Sequence, residues 1–262
     1  MIEQLRDLAV EAALAAGAIQ LDGLTTARQI SYKGAVDLVT QIDHACERHI
    51  AALIAGRFPD HQLLAEEGTT AGQASEYRWI VDPVDGTTNY AHGYPIFAVS
   101  IAVERAGELL VGVVHAPLLR ETFVATRGGG ATLNGRPLRV SRVADLDRAL
   151  LATGFPYDIR SRPDNNLDHW ATFAVRCQAV RRDGSAALDL AYVAAGRFDG
   201  FWELTLSPWD MAAGALLIAE AGGQLSDPWG GPFHHLQRAC VASNGLIHQQ
   251  ILDTLRINLP PA

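Results

Sequence analysis

Trp79-Ile80-Val81-Asp82-Pro83-Val84-Asp85-Gly86-Thr87-Thr88 is the stretch that decides how this chain folds and where its chemistry gathers. Trp79 to Val81 reads as a short apolar strand, and two carboxylates three residues apart stand where it ends, a natural place for a ligand. Pro83 fixes its own φ and cannot donate to a sheet ladder, so the chain is expected to leave the sheet there. Both Asp side chains and the Val84 carbonyl are then free to converge, and two hard oxygen anions with a carbonyl suit Mg²⁺. Gly86 and Thr87 follow at an apparent helix start, where backbone N–H groups and a hydroxyl seat a phosphate. This chemistry points to metal-assisted phosphoryl transfer. D-P-x-D-G is also ordinary turn vocabulary, and the stretch alone leaves the two readings about even.

Working outward, Leu5, Leu8, Ala9, Ala12, Ala16 and Ile19 recur at helical spacing, and a second helix is expected after Thr40 with Ile42, Ala45, Ile50, Leu53 and Ile54 inward. From residue 79 β-branched runs take over, at 79–81, 96–103, 109–114, 121–126 and 131–140, the last broken by the hairpin signal Asn134-Gly135. They describe a mostly antiparallel sheet. Beyond residues 149–153 helices near 166–176, 186–195, 209–221 and 245–256 alternate with short strands at 198–203 and 239–242, an α/β texture. The loop 154–166 divides the chain into an α+β half, 1–153, and an α/β half, 154–262, closely packed. No internal repeat stands out.

The 262 residues suffice for a sizeable core, and 48% hydrophobic with 19% charged residues describe an ordinary globular protein. A net charge of −8 argues against nucleic acid as the main ligand, and an anionic substrate would need a cation beside it. Cys46, Cys177 and Cys240 lie far apart without metal-site spacing, which with the absence of a signal peptide or a membrane-length apolar run suggests a cytoplasmic protein. The nine histidines show no zinc or iron spacing.

Further acids for a metal site are Glu66-Glu67 and Asp210, each with a bland alternative. The Glu pair also fits a solvated strand end. Asp210, three residues after Ser207, fits a capping box, as does Asp43 after Thr40. Glu203 closes the run Phe201-Trp202 and also fits a solvent-facing edge. The aromatics Phe198, Phe201, Trp202 and Trp209 read as core. Arg127-Gly128-Gly129-Gly130 lies between strand patterns with no Gly-Lys-Ser/Thr after it, so it reads as a turn and not a nucleotide site.

Together the pieces resemble the magnesium-dependent, lithium-sensitive inositol monophosphatases, especially their bacterial branch. One signature matches residues 79–90, and a second matches Trp209-Asp210-Met211-Ala212-Ala213-Gly214 followed by Glu220-Ala221-Gly222-Gly223. Val36-Asp37-Leu38-Val39-Thr40, Ala65-Glu66-Glu67-Gly68, Gly154-Phe155-Pro156 and residues 184–191 are similar too. The resemblance implies a layered αβαβα fold, a homodimer, and hydrolysis of myo-inositol monophosphates by a water that two to three Mg²⁺ activate. It places Glu66, Asp82 and the Val84 carbonyl on a first ion, and Asp82, Asp85 and Asp210 on a second. It gives the base role to Glu66 and to the Thr87 hydroxyl polarised by Asp43. Gly86 and Thr87 would hold phosphate under Lys33, while Asp85, Gly184, Ser185, Ala186 and Glu203 would meet the alcohol. The signatures identify chemistry better than substrate. Fructose 1,6-bisphosphate, histidinol phosphate and 3′-phosphoadenosine phosphates stay open, Arg160 and Arg162 being candidates for a second phosphate. A regulatory role in transcription or ribosome assembly is the alternative of a different class.

Overall fold

The computed structural model describes residues 1–25, 30–32, 38–68, 70–71 and 75–258. Helix α1 (Ile2–Thr25) is followed by a ribbon of β1 (Ile30–Tyr32) and β2 (Leu38–Thr40), and then by α2 (Gln41–Arg57). Strands β3 (Gln62–Ala65), β4 (Thr70–Ala71) and β5 (Tyr77–Asp85), the short helix α3 (Thr87–His92), and strands β6 (Ala98–Arg105), β7 (Glu108–Ala116), β8 (Glu121–Thr126), β9 (Gly130–Leu133) and β10 (Arg136–Pro137) come next. They build an eight-stranded sheet in the order β10-β9-β8-β7-β6-β5-β3-β4. Its neighbours are antiparallel except the β3–β5 pair. Asn134 and Gly135 both take positive φ, 49° and 77°, as the two-residue hairpin between β9 and β10 requires.

The remaining chain gives β11 (Leu150–Thr153), α4 (Leu167–Ala174), β12 (Ala179–Arg181), α5 (Ala186–Ala194), β13 (Gly200–Glu203), α6 (Pro208–Glu220), β14 (Gln224–Ser226), β15 (Cys240–Ser243) and α7 (His248–Leu255). Five strands form a second sheet, β12-β11-β13-β15-β14, in which β11 runs parallel to both its neighbours.

Period-two alternation sorts each strand's side chains between layers. Val99, Ile101 and Val103 of β6 pack with Leu5, Leu8 and Ala12 of α1, whereas Ala98 and Ala102 join the cluster of α5 and α6 on the opposite face. On β13, Phe201 faces α5 and α6 while Trp202 faces α4 and α7, where Phe173 stacks on it at 4.1 Å. The order is therefore α1/α2, large sheet, α5/α6, small sheet, α4/α7, which is the expected αβαβα layering. Phe201 and Trp202 are core, as their sequence implied. No helix of the described residues is long and apolar enough to cross a membrane.

One expectation is corrected. The strand does not end at Pro83: β5 continues to Asp85 through a bulge, since Asp82 pairs with Ser100 and Asp85 with Ala98, three steps against two. A bulge tolerates proline because the extra residue has no ladder partner to satisfy.

Candidate active site

The bulge satisfies its own backbone groups and leaves carboxylate oxygens over. The Val84 N–H donates to Asp82 Oδ1 at 2.9 Å, and the Pro83 carbonyl accepts from the Gln20 side chain of α1 at 2.8 Å. Buried Tyr90 of α3 donates to the Gln20 carbonyl at 2.8 Å, so α1 and α3 clamp the bulge between them. The Thr87 hydroxyl lies 3.0 Å from the Val84 carbonyl and 3.1 Å from Asp43 Oδ1, joining the bulge to the first turn of α2. Gly86 has φ 92°, and a Cβ there would lie 3.0 Å from the Ile96 carbonyl oxygen, so both torsion and space call for glycine.

Two other elements bring acids to this point, and a third holds Asp85 in place. Asp85 Oδ2 accepts from the Ser185 hydroxyl at 2.5 Å and the Ala187 N–H at 2.8 Å, which ties the sheet to the start of α5 across about a hundred residues of chain. Asp210, in the first turn of α6, accepts from the Ser207 N–H at 2.7 Å, the capping box its spacing predicted. Ser100, the strand partner of Asp82, donates to the Trp209 carbonyl at 2.9 Å and so sets α6 against the bulge. One oxygen each of Asp82, Asp85 and Asp210 lie within 4.8 Å of one another. Glu66, just past β3, stands beside Asp82 in the same cleft, where each carboxylate acts on the other's proton affinity. Glu67 places its carboxylate 3.7 Å from His44 Nδ1 of α2, while its backbone N–H donates to Glu47 Oε2 at 2.8 Å.

The four acids raise one another's affinity for protons. Burial first, then the neighbouring carboxylates, push Asp82 well above its ordinary value. Burial and then Asp210 lift Glu66 to about 8, and burial with Asp85 lifts Asp210 to about 7. Asp85 rises to about 6, restrained by its hydrogen bonds to Ser185 and the start of α5. Among the described residues no Lys, Arg or His forms an ion pair with any of the four. An all-oxygen donor set with no protein cation fits hard divalent ions such as Mg²⁺, which would supply the missing positive charge.

This cluster floors a cleft of about 420 Å³. Val84, Gly86, Thr87, Gly184, Ser185, Ala186 and Glu203 all border it. The Ser185 hydroxyl donates its hydrogen to Asp85, so it can offer a ligand only acceptor lone pairs beside its backbone groups. Glu203 is buried, and its carboxylate fills the space beside Gly154, where a Cβ would meet Oε2 at 2.2 Å. Lys33 lies outside the described residues. Arg160 is exposed away from the cleft, while Arg162 borders it already paired with Asp158 and Asp164. Sequence reading missed Arg182, Asp189, Thr205 and Arg238 in the cleft wall. Asp189 had a visible signal, a lone carboxylate inside the apolar run Ala186-Ala187-Leu188-Asp189-Leu190-Ala191.

Fold and site define a five-layer α/β protein whose carboxylate-floored cleft is built for divalent cations. The sequence model of the inositol monophosphatase family matches residues 1–259, and the chain belongs to that family. It is 44% identical to the Nus factor SuhB of Pseudomonas aeruginosa, over all of this chain and 99% of that protein. It is 45% identical to an inositol-1-monophosphatase of Synechocystis sp., over 95% of this chain and 88% of that one. Among solved structures it resembles the inositol monophosphatase of Anabaena (Nostoc) sp. with a TM-score of 0.89 and 43% identity, covering 99% of this chain and 97% of the other.

Proposed function

We propose that this protein hydrolyses phosphate monoesters of polyols, myo-inositol monophosphates foremost, with two to three Mg²⁺ held by Glu66, Asp82, Asp85, Asp210 and the Val84 carbonyl. The observation that carries the reading is the convergence of the Asp82, Asp85 and Asp210 oxygens within 4.8 Å, with no cation of the described residues paired to them, at the floor of an open cleft. Phosphate monoesters are among the most inert biological esters, with enzymes supplying up to ~10²¹-fold acceleration. Divalent ions bound there supply the Lewis acidity that neutralises the phosphoryl charge and lowers the pKa of water.

The chain's own groups do the rest. Gly86 and Thr87, opening α3, present N–H groups to a phosphate oxygen. The Thr87 hydroxyl points its hydrogen toward Asp43 or the Val84 carbonyl, which leaves an oxygen lone pair to accept a hydrogen bond from the attacking water. Glu66, once ionised, takes the proton of that water. Glu203 and the backbone at Gly184 and Ala186 receive the alcohol, and the functional unit is a homodimer.

Phosphate release from inositol 1-phosphate, fructose 1,6-bisphosphate and histidinol phosphate, each with Mg²⁺ and with EDTA, tests the reading. Inositol 1-phosphate is expected to turn over fastest, and only with Mg²⁺. Rapid histidinol phosphate turnover with none of inositol phosphate would overturn the substrate. The relatives named as Nus factors support a second reading, a binding role in transcription. It predicts that Asp85→Asn abolishes phosphate release and leaves association with the transcription machinery intact.

A further inference from the structure

Beside the acidic floor the cleft has a second polar wall. Asp189, on α5, is 2% exposed, and its Oδ1 has no hydrogen-bond partner. Thr205, just past β13, likewise has a buried and unpartnered Oγ1. Both border the same cleft as Glu203. The Asp189 N–H donates to the Ser185 carbonyl at 2.9 Å, so Asp189 stands one helical turn beyond the residue that holds Asp85. A carboxylate oxygen only accepts, and a buried acceptor without a donor is a debt that a ligand's O–H or N–H can settle. Arg182 also borders the cleft, but at Asp189 burial and then the carboxylates of Asp183, Glu203 and Asp85 outweigh it, so the wall stays acidic and calls for a hydrogen-bond donor.

Building on the phosphatase reading above, we propose that Asp189, with Thr205, is a specificity-determining residue that accepts a hydrogen bond from a second hydroxyl of a polyol phosphate, next to the hydroxyl received by Glu203. The alcohol must therefore carry at least two neighbouring hydroxyls besides the esterified one. A monoester without hydroxyls makes no use of this wall.

The test compares wild type, Asp189→Asn, Asp189→Ala and Thr205→Val on inositol 1-phosphate, p-nitrophenyl phosphate and histidinol phosphate, with Mg²⁺ and full kinetic curves. Asp189→Ala is expected to raise KM for inositol 1-phosphate by about tenfold with a smaller change in kcat, and kcat/KM for p-nitrophenyl phosphate is expected to fall at least fivefold less. Asp189→Asn keeps one acceptor oxygen and should recover part of the loss; Thr205→Val should act in the same direction as Asp189→Ala, more weakly. Equal losses on both inositol 1-phosphate and p-nitrophenyl phosphate would overturn the proposal in favour of a structural role, and no loss on either would show that the substrate does not reach Asp189. A loss confined to histidinol phosphate would replace the hydroxyl with an ammonium and overturn it too. Failure of wild type on all three esters would instead defeat the underlying phosphatase reading, an outcome distinct from the others because it needs no variant.

Discussion

At Thr87 a single hydroxyl links the α2 carboxylate of Asp43 to the carbonyl of Val84 in the bulge. Its removal in Thr87→Ala is expected to lower kcat by about 10²-fold or more, the usual worth of a positioned proton-transfer group. Thr87→Ser, which keeps the hydroxyl, should retain most of the rate; initial-rate measurements under saturating substrate decide this, and equal rates for the Ala and Ser variants would remove Thr87 from the mechanism. Asp210 carries two roles at once, as capping-box partner of Ser207 and as a wall of the acidic cluster. Asparagine keeps a side-chain oxygen to accept from the Ser207 N–H, so Asp210→Asn keeps the first role and loses the charge. In EDTA the variant should melt no lower than wild type, because one buried repulsion is gone, while the rise in Tm on adding Mg²⁺ should largely vanish. A full Mg²⁺ response in the variant would show that Asp210 does not hold the ion. The capping-box reading of Asp210 is borne out, and the same side chain also stands in the acidic cluster, so the two readings do not exclude each other.

At the level of elements, the close approach of α6 to the large sheet places Asp210. A Cβ on Gly112 of β7 would lie 2.7 Å from the Ala213 carbonyl oxygen, and one on Gly214 would lie 2.5 Å from Leu190 Cβ of α5. At Gly112 backbone meets backbone, and no rotamer change can make room. Gly112→Ala should therefore destabilise the fold by about 1–3 kcal/mol by urea denaturation, and it should also lower kcat by pushing the start of α6 away from the bulge. Normal kcat in a destabilised variant would separate the helix position from the chemistry. Long, regular elements were legible from the chain: residues 121–126 form β8 as read, and α5 and α6 begin within a residue of the expected positions. The edge strands β12 and β14 were not, because three residues carry too little periodicity to register. The end of β5 was misplaced for a different reason. Proline's effect on a strand depends on whether its missing N–H faces a partner, which is a fact about β6 and not about residues 79–88.

Across the whole molecule, the clustered acids couple folding to pH. Glu66, Asp210 and Asp85 have folded-state values of about 8, 7 and 6, all above the ordinary carboxylate range, and Asp82 is raised as well. The metal-free folded state thus binds more protons than the unfolded chain between roughly pH 4 and 8, so stability is full below that window and declines as pH rises through it. Denaturation in EDTA should give a lower unfolding free energy at pH 8 than at pH 5, and saturating Mg²⁺ should offset most of the difference at pH 8 because it favours the ionised carboxylates. A metal-free protein as stable at pH 8 as at pH 5 would mean that the cluster does not carry the repulsion its geometry implies.

The sequence by itself determined the alternation of apolar faces, and with it the layers, together with the identity of the acids in its two signatures; periodicity and local motif chemistry act over a few residues and are written in the chain. Tertiary structure alone decided that Glu66, Asp82, Asp85 and Asp210, carried by β3, β5 and α6, share one cleft floor, that Ser185 serves Asp85, and that Asp189 and Thr205 wait unpartnered in the wall. Convergence of groups as distant in the chain as Glu66 and Asp210 is set by how helices and sheets pack, because close approach at positions such as Gly112 depends on both surfaces at once and no single segment encodes it.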